Sequence, residues 1–222
     1  AVQLLARILR GAGLPGHLAR LEGGDKHNAI PREAWATLVL PEGGVEASVA
    51  RLRARFDEVR AEFAGPEPEM RLEVAEAPMP GSVWSVDTGA RVLDLIAALP
   101  HGVVAMSHDI PGLVETSTNL AAVHCQGAAM EFLTSSRSSL ASGMDWIRTR
   151  IEAVATLAGA STHHGEGYPG WKPDLGSELL HVVRAVHERV LGKEPRIEAV
   201  HAGLECGIIG EMVPGMEMIS FG

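Results

Sequence analysis

The order of predicted helices and strands constrains the fold of this chain more than any other feature of its sequence. Between residues 70 and 166, the apolar patterns predict the order strand, helix, strand, strand, helix, strand. Residues 1–76 predict helix, strand, strand, helix, strand, which is the same order without its first strand. Each series has the topology of a ferredoxin-like unit, and two units sharing strand 70–76 would form one antiparallel sheet of about eight strands with helices on one face.

Two segments show the periodicities on which this order depends. Residues 45–63 place their apolar side chains on one stripe of a helix, and residues 70–76 alternate apolar with charged side chains, as a half-buried strand does. The other predicted helices are 1–11, 89–98, 140–158 and 177–191, and the other strands include 17–22, 34–40, 102–107, 114–124, 127–135 and 218–221.

A segment near 164–176 that is rich in Gly, Pro and His predicts a boundary between two domains. We therefore expect an α+β domain at 1–166, followed by a partial α/β domain at 167–222. The chain starts within a helical pattern and ends on an apolar segment, 218–221, whereas chain termini are usually poorly ordered. This predicts that the chain is an internal piece of a longer protein.

Composition excludes several classes of function. A net charge of −9 disfavours nucleic acid as a partner, because phosphate binding requires a basic face. No apolar run reaches the roughly 18 residues of a membrane-spanning helix. The two cysteines, Cys125 and Cys206, lack the paired spacing of a disulfide framework or a zinc knuckle, which favours a protein of the reducing cytoplasm.

The ten histidines suggest a metal site, but their spacing does not provide one. His163 and His164 are adjacent, so they would point to opposite sides of a strand. His181 and His187 are six residues apart on a predicted helix, so they would lie on different faces. We expect structural or solvent-facing roles for the histidines.

Three other features each allow two interpretations. Asn28 lies in a predicted turn, where it either hydrogen-bonds its own backbone or presents its amide to a polar ligand. Arg137 lies among serines at a strand end, as either a solvated charge or a group that binds a carboxylate through its planar fork. Gly203 and Gly207 allow either tight packing at a turn or close approach of the backbone to a ligand.

Several longer motifs occur in order along the chain: NAIPRE (28–33), ETSTNLA (115–121), RSS (137–139), GYPGWKPD (167–174), GKEP (192–195), HAGLECG (201–207) and MISFG (218–222). Together they resemble the aminoacyl-histidine (Xaa-His) dipeptidases, also called cytosolic non-specific dipeptidases, which are co-catalytic zinc peptidases. The resemblance extends from end to end. Thr118 departs from the family pattern, which often reads ETSLN.

The resemblance implies a dimeric, cytoplasmic enzyme with two zinc ions in a catalytic domain and a lid that closes over a dipeptide. Residues 1–166 would be the lid and dimerisation domain without its first strand, and 167–222 would be part of the catalytic domain. The zinc ligands and the catalytic Glu are then expected outside this chain. The fragment would hold neither catalytic nor metal-binding residues and would be inactive.

The resemblance also assigns three substrate contacts. Arg137 would bind the dipeptide carboxylate, Asn28 would donate to the substrate backbone or the oxyanion, and the Gly203 backbone would line the pocket beside the C-terminal residue. Two alternatives remain open. One is a non-catalytic dimerisation module of a zinc-peptidase-like protein, and the other is part of a related aminoacylase or carboxypeptidase.

Overall fold

A computed structural model describes residues 1–127, 129–165, 167, 169–171, 174–198 and 205–221. The helices are α1 (Val2–Ala12), α2 (Val45–Glu62), α3 (Val86–Ala98), α4 (Ala141–Leu157), α5 (Glu178–Leu191) and α6 (Glu205–Met212), with a short 3-10 turn at Glu42–Gly44. The strands are β1 (His17–Gly23), β2 (Ala34–Val39), β3 (Gly102–Met106), β4 (Val114–Gln126) and β5 (Ala129–Ser138).

The strands form a sheet in the order β2-β1-β4-β3, and β5 also pairs with β4. The β1–β2, β1–β4 and β3–β4 pairs are all antiparallel. The α+β architecture with an antiparallel sheet, predicted from the sequence, is therefore confirmed.

The chain divides into two compact units. The first comprises Ala1–Pro100, Asn119–Ser135 and Ile151–Ser161, and the second comprises His101–Thr118, Ser136–Arg150 and Thr162–Gly222. Strands β4 and β5 and helix α4 each contribute residues to both units. The predicted division into domains 1–166 and 167–222 stays a prediction.

The hydrophobic core of the first unit is built from helices α1, α2 and α3 and from inward-facing residues of β1 and β4. Helix α1 buries one apolar face and ends at Gly13, whose φ of 55° a glycine adopts without steric cost. Leu21 of β1 and Val123 of β4 are fully buried, and so is Val59 of α2. Complete burial of such a side chain stabilises the fold by roughly 1.5–3 kcal/mol.

Helix α5 of the second unit begins and ends at groups that satisfy its terminal backbone. The Ser177 hydroxyl accepts the N–H of Leu180, and the Glu217 carboxylate accepts the N–H groups of Glu178 and Leu179 at 3.1 and 2.9 Å. The helix ends at Gly192 with φ 66°, as its sequence predicts. None of its residues is buried among those described.

Several details of the sequence-based prediction are wrong. Residues 70–76 are not a strand, although Met70 and Leu72 do pack against the core as the alternation indicates. Alternation shows which side chains face the core, but a strand also needs a neighbouring strand, and no described residue pairs with this segment. Residues 218–221 are not a strand for the same reason. The described residues between helix α4 and 165 do not form the strand that the 70–166 series predicts at its end.

Helix α6 is a further difference, because its glycines predict a turn. Gly207 lies instead inside the helix, where an added Cβ would collide with the backbone oxygen of Pro169. Tight packing at Gly207 is one of the two interpretations that the sequence allows, but the glycine packs from within a helix and not at a turn. Because 70–76 and the end of the second series are not strands, the sheet has five strands within the described residues, not about eight.

Candidate substrate-binding site

Four hydroxyl groups form two hydrogen-bonded pairs between β4 and β5. Thr116 Oγ1 lies 2.8 Å from Ser138 Oγ, and Thr118 Oγ1 lies 2.8 Å from Ser136 Oγ. Thr116, Thr118 and Ser138 are only 2%, 3% and 8% exposed, so each hydroxyl finds in its partner the hydrogen bond that burial demands. We call these four residues the hydroxyl ladder.

Arg137 lies between the two β5 members of the hydroxyl ladder and is exposed. Successive side chains of a strand point to opposite faces, so Arg137 projects from the face opposite to Ser136 and Ser138. The Arg137 guanidinium therefore lies near the end of β5, while its neighbours Ser136 and Ser138 are hydrogen-bonded on the opposite face of the strand. A planar fork of N–H donors in such a position suits the two oxygens of a carboxylate.

The end of β5 is fixed by further short contacts. The N–H of Ser139 donates to Glu115 O at 3.1 Å, and the N–H of Leu140 donates to Ser138 Oγ at 3.1 Å. An added Cβ at Gly143 would lie 2.6 Å from Ser138 Oγ, and one at Gly170 would collide with Ser138 O. Gly170 therefore packs directly against the backbone of Ser138.

Asn28 lies exposed in the turn between β1 and β2. Asn119 of β4 holds this turn, because its Nδ2 donates to Ala29 O at 2.7 Å. Gly24 begins the connection with φ 79°, and a Cβ there would collide with Ala121 O. Both contacts attach the loop that carries Asn28 to β4.

Sequence reasoning missed the role of Asn119. Its signal was present, because Asn is disfavoured within a strand, yet the ETSTNLA motif places it there. The residue it contacts is 90 positions away, and no local pattern reveals that pairing.

An ion pair at the end of β1 also contacts β4. Arg20 Nη2 lies 2.7 Å from Glu22 Oε2, and Glu22 Oε1 accepts the N–H of Cys125 at 3.4 Å. The hydrogen bond from Arg20 is the main cause that lowers the pKa of the Glu22 carboxyl, with a smaller contribution from the Cys125 N–H.

Two of the three predicted substrate contacts lie in the described part of the chain. Asn28 belongs to the first unit and Arg137 to the second, and each is described within its own unit. Gly203 lies outside the described residues, and so do His201 and Tyr168.

The resemblance implies two zinc ions, whose ligands would be His, Cys, Asp or Glu side chains. Within the described ranges, no three His, Cys, Asp or Glu side chains lie close enough together to hold a metal ion. His187 Nδ1 instead lies 3.0 Å from Lys193 O, and His163 and His164 are exposed. The described side chains thus do not fit a zinc centre.

No helix in the described part of the chain combines the length and apolar composition needed to cross a membrane.

Comparison with known proteins gives two matches that cover the chain completely. The cytosol non-specific dipeptidase of Escherichia coli (strain K12) is 35% identical over 227 residues, which is 100% of this chain and 46% of that protein. The crystal structure of aminoacylhistidine dipeptidase from Vibrio alginolyticus superposes with a TM-score of 0.94 at 33% identity, again over 100% of this chain and 46% of the other.

No protein-family model matches the chain. The chain spans somewhat less than half the length of the relatives it matches. The order of motifs predicted a resemblance to these dipeptidases, and the two matches confirm it. Over its full length, this chain is homologous to a segment of the cytosol non-specific and aminoacylhistidine dipeptidases.

Proposed function

We propose that this chain is the substrate-binding lid and part of the catalytic region of a metal-dependent dipeptidase acting on Xaa-His and other dipeptides. The similarity to two dipeptidases over the full length of the chain carries this proposal. The local observation that supports it is the exposed Arg137 on a strand end held by the hydroxyl ladder.

Arg137 has the chemistry needed at one end of a dipeptide. The free carboxylate lies within one residue of the bond to be cleaved, so a group that binds it also places the scissile carbonyl. A guanidinium donates two parallel N–H groups to the two carboxylate oxygens. Such a charge-assisted hydrogen bond is worth roughly 1.5–3 kcal/mol, which corresponds to a factor of about 10–150 in binding.

Asn28 and Gly203 complete the proposed set of contacts. The Asn28 amide would donate to the substrate backbone or to the oxyanion, and the Gly203 backbone would line the pocket beside the C-terminal residue. The exposure of Asn28, with its loop attached to β4 through Asn119, supports a role in contact with a ligand.

The described side chains provide no zinc-binding set. We therefore propose that the two zinc ions are held by other residues of a longer protein, and that the 222-residue chain alone is inactive. We also propose a cytoplasmic homodimer formed through residues 1–166, in keeping with the word "cytosol" in the name of one relative.

Substitution of Arg137 in the longer protein tests the carboxylate role. We expect Arg137→Ala to lower kcat/KM for a free dipeptide by about 10- to 100-fold, because one charge-assisted contact is lost. A dipeptide amide has no carboxylate, so its already poor hydrolysis should change little. Arg137→Lys should recover little activity, since it keeps the charge and loses the fork.

A matched control is Arg71→Ala, which removes another arginine whose side chain is 82% exposed and pairs only loosely with Glu73, at 3.4 Å. This variant should leave both substrates unaffected. Equal losses on the free dipeptide and the amide in Arg137→Ala would contradict the carboxylate role.

A further inference from the structure

We propose that the hydroxyl ladder sets the register of β5 against β4 and thereby determines the face from which Arg137 projects. Thr116, Thr118, Ser136 and Ser138 are then positioning residues for substrate selection. The inference rests on the proposed function, because it assigns a role to Arg137 in carboxylate binding.

The spacing of the four hydroxyls gives the ladder its effect on register. The Thr116–Ser138 and Thr118–Ser136 pairs each span 2.8 Å and lie two residues apart along both strands. Arg137 lies midway between them on β5. A slip of one residue would move Ser136 and Ser138 to the exposed face and turn Arg137 toward the buried threonines.

Polar pairs resist such a slip more strongly than apolar pairs would. Apolar contacts are not directional, so a shifted strand regains much of their burial. A buried hydroxyl that loses its partner has no water to replace it, and a slip would separate both pairs at once. Thr116 and Ser138 are 2% and 8% exposed, so this cost applies to them directly.

Neighbouring groups leave the ladder little freedom to rearrange. Ser138 Oγ also accepts the N–H of Leu140, at 3.1 Å. A Cβ at Gly143 would lie 2.9 Å from Thr116 Oγ1. The hydroxyl pair next to Arg137 therefore lies in a space without room for an extra methyl group.

The test compares Thr116→Val, Ser138→Ala and the double variant in the longer protein. Thr116→Val keeps the shape and removes the hydroxyl. We expect it to lower the ratio of kcat/KM for a free dipeptide to that for its amide by about three- to tenfold, a usual coupling between residues linked through a backbone shift. In an Arg137→Ala background, the same substitution should leave this ratio unchanged.

Thermal stability separates register from simple packing. Ser138→Ala leaves the buried Thr116 hydroxyl without its partner, whereas the double variant removes that hydroxyl as well. The Tm of the double variant should therefore rise above that of Ser138→Ala toward the parent value, short of it by the lost Leu140 N–H bond. Its substrate ratio should nevertheless stay low, because the directional pair is absent. Recovery of both quantities in the double variant would overturn the proposal, as would a fall in Tm without any change in the ratio.

Hydrogen exchange gives a readout that does not depend on catalysis. Exchange at the Ser139 amide, which donates to Glu115 O, should quicken in Thr116→Val if register is loosened. Ser85→Ala is the control, since Ser85 and Thr88 form another hydroxyl pair, 2.9 Å apart, at the start of α3. It should lower Tm and leave both the ratio and Ser139 exchange unchanged.

These measurements separate failure of the proposed carboxylate role of Arg137 from failure of the proposed register role of the hydroxyl ladder. If Arg137→Ala itself does not change the substrate ratio, the proposed carboxylate role fails, and Ser139 exchange alone then decides whether the ladder sets register. Unchanged Ser139 exchange in Thr116→Val would overturn the proposal.

Discussion

The Asn119 amide hydrogen-bonds the loop that carries Asn28 to β4. Asn119 Nδ2 donates to Ala29 O at 2.7 Å, one residue beyond Asn28. Such a hydrogen bond has a net value of about 0.5–1.5 kcal/mol, enough to bias an exposed turn toward one conformation.

Replacement of Asn119 by Ala should therefore reduce activity through Asn28. In the longer protein we expect kcat/KM for dipeptides to fall about two- to tenfold, in line with the loss of one neutral hydrogen bond. The Asn28→Ala/Asn119→Ala double variant should lose no more activity than Asn28→Ala alone. Ser107→Ala is the control, because Ser107 supports a different turn through the N–H groups of Asp109 and Ile110. Additive losses would show that Asn119 acts independently of Asn28.

Gly24 allows a stability prediction with an internal control. Gly24 and Gly13 both have positive φ, at 79° and 55°, but only Gly24 lacks room for a Cβ. Gly13→Ala should cost about 1–2 kcal/mol of the free energy of unfolding, the cost of positive φ alone. Gly24→Ala should cost clearly more, because its Cβ would collide with Ala121 O. Urea denaturation of the 222-residue chain measures both values, and similar midpoints would contradict the steric argument.

Individual site residues were only partly predictable from the sequence. Arg137 was identified by its small hydroxyl neighbours and by the family motif. The pairing of those neighbours with Thr116 and Thr118 was not, because it depends on the register between two strands. Local sequence indicates the face of a residue, and the contact across the strands needs the fold.

Among the elements, helices were predicted more reliably than the segments that depend on distant partners. The bounds of helix α5 match those predicted from its cap residues, Ser177 and Gly192, because caps are local signals. Residues 70–76 have the alternation of a strand but no partner in the described part of the chain. A helix satisfies its own backbone, whereas a strand depends on another segment.

Helix α5 carries an exposed apolar stripe that leads to a prediction. Val182, Val186 and Val190 are 57%, 40% and 68% exposed and four residues apart, so they lie along one side of the helix. We expect the remainder of the longer protein to cover this stripe. Val186→Asp should then cost about 2 kcal/mol or more there, and less than about 0.5 kcal/mol in the 222-residue chain.

Ala185→Asp adds the same charge to an adjacent exposed position of the same helix. It should be tolerated in both proteins. If Val186→Asp is equally mild in the longer protein, the stripe is not covered there and the proposed arrangement of 167–222 is wrong.

For the molecule as a whole, the sequence identity and the fold both relate this chain to dipeptidases. The chain superposes on a dipeptidase with a TM-score of 0.94 over its full length, and it spans 46% of that protein. The fold class was predictable because the order of elements is a property of the chain as a whole. Within the described residues, no three metal-ligating side chains lie close enough together to hold a metal ion.

Dipeptide hydrolysis tests the central claim most directly. Release of histidine from an Xaa-His dipeptide should be measured with zinc present, both for the longer protein and for the 222-residue chain alone. The account predicts turnover by the longer protein, and neither turnover nor stoichiometric zinc after dialysis for the chain alone. Failure of the longer protein to cleave any dipeptide, or zinc-dependent turnover by the isolated chain, would contradict it.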